Sequence, residues 1–384
     1  RDSGMLGTEP CEVILGAGVY RLSEPVTFTP ADSGSEAYPV TYRAVDGADV
    51  VFTGAQTITS EWDLWQDGIY RTQVGEMDAI DQLIVNGSRQ ILARYPDLGA
   101  GYVLKPNQKH VGGKAGNAPY DGCTPDAWDA SKAKEWGDPT GAFMHGMHGG
   151  LWGSQHYRVL GKDAKGKLLF EGGWQNNRHR SAHRSYRMIE NIFEELDAPG
   201  EWYHDAKGGW LYYQPAKGVD MASAEFEAVL QLKHLIEFYG AHKEPVATMD
   251  ITGGGNGLKV TRVKNYETTE AVKHIRLQGI SFRGTARTFM DTIEPLLRSD
   301  WSIYRGAAVH LRGTEAIAIE GCDFEELGGN AVLVDSYNRG TVVRGNLFRE
   351  NGASDLVFVG SFAAVRDPAF SFGAVARPLD EIDT

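Results

Sequence analysis

Cysteine is scarce in this chain: 384 residues contain three, Cys11, Cys123 and Cys322, far apart and without a CxxC pair. That spacing excludes a zinc ribbon and a disulfide framework. The odd count leaves the redox compartment open. Cys322 lies in IAIEGCDF, where the alternation points it inward, so a buried structural thiol is expected there. Long apolar runs are missing as well. No stretch approaches the ~18 apolar residues of a membrane-spanning helix, so no span is expected. The opening RDSGMLGTEP lacks the charged-then-apolar layout of a signal peptide. Positive charge is in deficit, because 38 Lys+Arg face 51 Asp+Glu for a net charge of −13. The basic footprint of a protein that grips a nucleic-acid backbone is therefore absent, and no nucleic-acid partner is expected.

Glycine, by contrast, is plentiful. The chain has 47, about 12% against a usual ~7%, with no Gly-X-Y period, which excludes collagen and favours many tight turns. The last third repeats itself. IRLQGISF from Ile275, IAIEGCDF from Ile317 and TVVRGNLF from Thr341 superimpose, with glycine at 279, 321 and 345 and phenylalanine at 282, 324 and 348. GAAVHLR from Gly306, GNAVLVD from Gly329 and SDLVFVG from Ser354 interleave with them, and a longer step accommodates an insertion around 286 to 305. A unit of short alternating strands cannot bury its own apolar face and must stack on copies of itself. The LxxLxLxxN signature of a leucine-rich repeat is absent.

The expected fold is all-β: a right-handed parallel β-helix with an inserted antiparallel β domain. First coils are expected over 1–55, the insert over 56–226 with one helix near 187–198, and further coils over 227–384. The helix expectation rests on apolar residues at 188, 189, 192, 193 and 196 followed by Pro199-Gly200. Inward columns are expected to be Val309/Val332/Val357 and Leu311/Val334/Val359 on one sheet, and Leu277/Ile319/Val343 and Phe282/Phe324/Phe348 on others. Outward, Glu320 falls beside Arg344, Glu325 beside Arg349 and Arg312 beside Asp335, so cross-strand ion pairs explain these charges as well as catalysis does. His310 aligns with Leu333 and Phe358 on an expected exposed ledge.

Three stretches carry a family resemblance: VILGAGVYRLSEPVTFTPADSGSEAYPVTYRAVDGADVVFTGAQTI, LIVNGSRQILARYPD and ENIFEELDAPGEWYHDAKGGWLYYQP. In these the chain resembles bacterial β-helix proteins similar to glycoside hydrolase family 141. The resemblance implies a secreted or periplasmic enzyme acting on complex plant or algal polysaccharide, with fucosidase or xylanase activity. It also implies that coils bearing acidic motifs continue past RPLDEIDT. On that reading the C-terminal coils are missing, the final coil is uncapped, and the catalytic carboxylates lie beyond Thr384.

Within the chain, Asp323, Glu325, Glu326 and Asp335 are the available catalytic candidates, though no spacing fixes which pair converges. Hydrolysis of a glycosidic bond needs two carboxyl groups about 5 to 9.5 Å apart. The densest polar-aromatic cluster runs from His145 to Arg158 and from Gly172 to Arg184. Tryptophan faces pack on sugar rings while imidazole, Asn and Arg satisfy hydroxyls. The substrate-binding candidates are therefore His145, His148, Trp152, His156, Trp174, Asn177, Arg178 and His310, although a structural polar surface explains the same cluster. A His145/His148/His156 metal site lacks a helical framework and a carboxylate ligand, so no metal is expected. GGGNG at 253–257 lacks the Lys-Ser/Thr ending of a phosphate loop and reads as a turn. No cofactor is required by a hydrolase. Two alternatives stay open: a polysaccharide lyase on a uronate-containing glycan, for which calcium would fit, and a non-catalytic glycan-binding solenoid.

Overall fold

The computed structural model describes residues 4–75, 79–98, 103–104, 120–121, 130–148, 154–175, 178–179, 182–242, 251–252, 259–260, 268–291 and 304–360. Three parallel sheets run along a β-helix. Sheet I stacks Cys11–Leu15, Val40–Ala44, Ile275–Gln278, Ala318–Glu320 and Val342–Arg344. Sheet II stacks Gly18–Arg21, Val50–Thr53, Ser281–Arg283, Asp323–Glu325 and Leu347–Arg349. Sheet III stacks Val26–Phe28, Ile236–Tyr239, Val309–Glu315, Val332–Arg339 and Leu356–Val359. Taken in chain order, these strands make five coils.

The sequence pattern explains the coil. Side chains alternate across each strand, and Leu277/Ile319/Val343 and Phe282/Phe324/Phe348 are paired positions in the parallel ladders. Phe282 and Phe324 are fully buried, and the three rings stack at centroid distances of 4.9 and 5.0 Å. The corner between sheets I and II needs a left-handed residue, and Gly279, Gly321 and Gly345 supply it with φ of 67°, 59° and 67°. Asparagines bridge successive corners. The Asn346 amide accepts from the Cys322 N–H and donates to the Ile319 carbonyl, and Asn351 does the same between Leu327 and Phe324. Cys322 is fully buried, and burial pushes its thiol up to about 11.

The register corrects one expectation. Val332 pairs with Leu356 and Val334 with Phe358, so the inward columns end in Leu356 and Phe358, and Val357 follows Leu333 on the outside. The strand spacing there is the one that takes Asp323 to Leu347 in sheet II, one residue shorter than matching GNAVLVD to SDLVFVG assumes. Leu356 and Phe358 are 39% and 62% exposed.

The insert interrupts the second coil between its sheet II and sheet III strands. Among the described residues it holds two short two-stranded pairs and three larger sheets. One pairs Ala55–Thr57, Gln82–Val85, Ser88–Arg89 and Phe226–Val229; another is built on the Glu201–Asp205/Trp210–Tyr213 hairpin; the third runs Arg94–Tyr95, Ala182–Glu190, Phe143–His148, Ser154–Lys162, Leu168–Gly172. The helix expected at 187–198 is not there. Residues 182–190 form a strand paired with Phe143–His148, Asn191 turns the chain at φ 65°, and a single 3-10 turn covers Phe193–Glu195. The helical spacing is satisfied differently: Ile189 and Ile192 enter a core with Trp136 and Val159, while Leu196 enters another with Tyr212. An α-helix forms instead at Ala130–Glu135. Among the described residues no helix is long and apolar enough to cross a membrane.

A second excursion, 286 to 305, leaves the third coil at the corner that launches the insert from the second. Neighbouring coils bring the two excursions together. The Gln82 amide donates to the Thr285 carbonyl at 2.6 Å, and Asp81 accepts from both the backbone and the side chain of Arg287.

Candidate active site

Ile236 and Phe238 point into the solenoid beside Val309 and Leu311. Alternation therefore turns Glu237 and Tyr239 outward beside His310 and Arg312, with Asp335 beside Arg312 on the next coil. On this outer face two Tyr–His–carboxylate lines lie side by side. In one, His234 places Nδ1 2.7 Å from Glu237 Oε1 and Nε2 2.9 Å from the Tyr304 hydroxyl. In the other, His310 places Nδ1 3.0 Å from the Tyr239 hydroxyl, and its Nε2 lies 3.4 Å from Asp335 Oδ2, outside good hydrogen-bond geometry. The two imidazoles meet edge to face at 5.7 Å. A carboxylate only accepts, so in the first line Nδ1 of His234 carries the proton and Nε2 accepts from the phenol when the ring is neutral.

The electrostatics fix which groups are charged. The hydrogen bond from His234 holds the Glu237 carboxyl below the usual carboxylate range against the opposing effect of burial. Burial alone would push Asp335 up, but His310 and the Arg305 guanidinium hold it below its ordinary value. Burial, then Asp291 and Glu237, push the Tyr304 phenol up to about 12. Tyr239 is pushed up too, by burial first and then by Glu237. At neutral pH the face presents two carboxylates and two protonated phenols. Glu237 reaches the Tyr304 phenol through His234, and Lys233, whose Nζ lies 5.9 Å over the Tyr304 ring, donates to Asp291 at 2.8 Å, so Glu237 and Asp291 are the carboxylates tied to Tyr304. Their side chains are 14% and 24% exposed, against 2% for Asp335.

The candidates read from sequence scatter over three places. His310 and Asp335 come together here, but His310 is 4% exposed, so the expected ledge is a buried position roofed by Tyr239 and backed by Asp335. Asp323, Glu325 and Glu326 lie on sheet II or its corner. Glu325 is bracketed by Arg283 and Arg349, and Glu326 accepts from the Arg89 N–H at 3.2 Å, which docks the insert. His145 and His156 sit in the insert with their Nδ1 atoms 2.8 Å apart, packed on Phe289, and His145 Nε2 lies 3.1 Å from Glu190. Burial, then His145, lower His156 to about 4. Trp152, Asn177 and the GGGNG segment lie outside the described residues, as do the side chains of His148, Trp174 and Arg178; in a short hairpin the backbone of Trp174 pairs with His179 and that of Arg178 with Gln175. Glu237, Tyr239, His234, Tyr304 and Asp291 were not singled out by sequence. Among the described residues no group of three or more His, Cys, Asp or Glu is placed to hold a metal ion.

No family model matches the chain, and no curated protein matches it. A solved structure described as a glycoside hydrolase aligns over 92% of this chain at 22% identity with a TM-score of 0.66. A xylose complex of a protein named XylC overlaps 91% of this chain and 57% of its own, at 11% identity and a TM-score of 0.32, and bears no weight. The chain spans 61% of the glycoside hydrolase, and this likeness shows that the two share the fold expected from the sequence: a β-helix carrying an insert.

Proposed function

We propose that the chain is a glycoside hydrolase acting on complex plant or algal polysaccharide, in a secreted or periplasmic setting, with fucosidase- or xylanase-like specificity. The observation that carries this reading is the cluster in which His234 joins Glu237 to the Tyr304 phenol while Lys233, over the Tyr304 ring, holds Asp291. A glycosidase needs two carboxyl groups about the scissile bond. Glu237, held ionised by His234, is suited to act as nucleophile or base, and Asp291 is the second carboxyl. The Tyr239–His310–Asp335 line stiffens the wall behind them. The structurally similar protein is described as a glycoside hydrolase, which supports a carbohydrate substrate, and the resemblance in the opening stretches supports a plant or algal polysaccharide.

The charge states also weigh against eliminative cleavage by a tyrosine base. A tyrosine base would have to lose its proton, yet both phenols are pushed above their ordinary range. The test is a screen of fucosylated, xylan and pectic glycans, read by reducing-sugar release and by ultraviolet absorbance. Reducing ends without an absorbing product, lost in Glu237→Gln and Asp291→Asn, are expected. An absorbing unsaturated product would establish a lyase instead, and binding without turnover would establish a glycan-binding solenoid. Turnover unchanged in both variants would remove the site assignment.

A further inference from the structure

Between the insert and the solenoid lies a cleft of about 910 Å³, which Lys233 and Arg287 help to line. Its size suits a ligand of several rings. Its lining is partly aromatic: Phe193 packs on Tyr203 and Tyr212 at centroid distances of 5.2 and 5.1 Å, and Phe143 lines it too. Phe193 and Tyr203 are only half-buried, so their faces are not consumed by packing.

The cations lining the cleft are already matched. Arg158 pairs with Glu171, Lys207 with Asp138, Lys233 with Asp291, and Arg287 with both Asp81 and Glu190. Glu194 and Asp205 add carboxylates, which accept from the backbone N–H groups of Gly137, and of Lys207 and Gly208, respectively. The cleft therefore offers acceptors and aromatic faces but no spare positive charge, and an anionic ligand would enter against it. His204 also lines the cleft. Its Nδ1 accepts from the Ile80 N–H, which leaves the proton on Nε2, and burial lowers its pKa so the ring is neutral. That Nε2–H is buried and has no hydrogen-bond partner within the protein.

We propose that this cleft binds a run of neutral sugar residues, so that the insert selects an uncharged glycan segment over a uronate and feeds it toward the sheet III face past Lys233. The inference rests on a glycan being the substrate, but it does not require this chain to cleave one. Aromatic faces take the C–H faces of pyranoses, and the carboxylates accept from hydroxyls.

Binding is measured by calorimetry on the full chain carrying Glu237→Gln, with neutral xylan-, glucan- and fucose-containing hexasaccharides and with oligogalacturonate. At least one neutral hexasaccharide should bind, at least tenfold more tightly than oligogalacturonate. Ala206→Trp, at an exposed turn on the rim, should weaken it about tenfold or more by filling the cleft, and Tyr203→Ala about five- to tenfold by removing one stacking face. Both variants are checked for an unchanged thermal midpoint. Should Tyr203→Ala fail to fold, Ala206→Trp decides alone. Equal binding of oligogalacturonate, no neutral binding, or full affinity in Ala206→Trp overturns the proposal. Failure of the hydrolase reading shows separately, as absence of reducing ends from the wild type with cleft binding retained.

Discussion

Replacing Arg287 by Met tests how the insert is held to the solenoid. The Arg287 guanidinium donates to Asp81 at 2.9 Å and to Glu190, and it lies over the Phe289 ring at 5.0 Å. Glu190 is 8% exposed, and burial alone would push its carboxyl up; Arg287, then His145, outweigh that and hold it well below the usual range. Removing one partner of a buried ion pair costs about 3–5 kcal/mol, because the other charge is left uncompensated. The sign with pH follows. In the wild type the folded pKa of Glu190 lies below the unfolded value, so its contribution is present above about pH 4.5 and lost as pH falls further. In Arg287→Met the folded pKa moves above the unfolded one, and stability is lost as pH rises. The gap between the two proteins should therefore widen from pH 5 to pH 7.5, a window above the titration of His156 at about 4. Urea unfolding followed by tryptophan fluorescence measures it, and the Arg287→Met/Glu190→Gln double variant should lose about 2 kcal/mol less than the sum of the singles. A loss under about 1 kcal/mol at pH 7.5, or a gap that narrows with pH, refutes the reasoning.

Two other outcomes are expected from the same folded state. Phe324→Ala, in the middle of the Phe282/Phe324/Phe348 stack and fully buried, should cost about 3–5 kcal/mol by denaturant unfolding; a loss near 1 kcal/mol would mean that the solenoid collapses around the missing ring. Glu201 is 1% exposed, accepts from the Asp197 and Ala198 N–H groups at 3.2 Å, and is pushed up to about 7, chiefly by burial. Its folded pKa exceeds the unfolded one, so wild-type stability should fall between about pH 4.5 and pH 7, by up to about 3 kcal/mol. Glu201→Gln should flatten that slope and be the more stable protein at pH 8, and a slope that survives the substitution would locate it elsewhere.

The solenoid was legible because two local requirements coincide in each coil. A strand packed on one face alternates with period two, and a corner turned with positive φ selects glycine. Columns such as Phe282/Phe324/Phe348 and the Gly279/Gly321/Gly345 corners therefore line up in the sequence as they do in space. Glu320 and Arg344 pair as the alignment places them, as do Glu325 and Arg349. The one-residue slip at 356–359 arose because Leu356, Val357, Phe358 and Val359 are all apolar, and such a run fits either register equally well. The lost helix has a similar origin. Apolar residues at 188, 189, 192, 193 and 196 match a helical face, but they match equally a strand, a left-handed turn at Asn191 and a 3-10 turn feeding two different cores.

The site was half legible, and the missing half follows from topology. His310 and Asp335 stood out as polar residues on strands with recognisable repeats. Their partners did not, because the second coil is cut by the insert and its sheet III strand, Ile236–Tyr239, sits on the far side of it with no sheet I or II strand beside it in sequence. One signal was available. In HLIEFYG the inward Ile236 and Phe238 match Val309 and Leu311, and that alignment alone sets Glu237 beside His310 and Tyr239 beside Arg312. Tyr304 and Asp291 could not have been found this way, since they belong to the 286–305 excursion, which has no counterpart in the other coils. They reach His234 and Lys233 because the insert and the excursion leave successive coils at one corner. A solenoid acquires a site where its repeat is broken, since an unbroken ladder presents the same ion-paired face on each coil, as sheet II does with Arg283, Glu325 and Arg349.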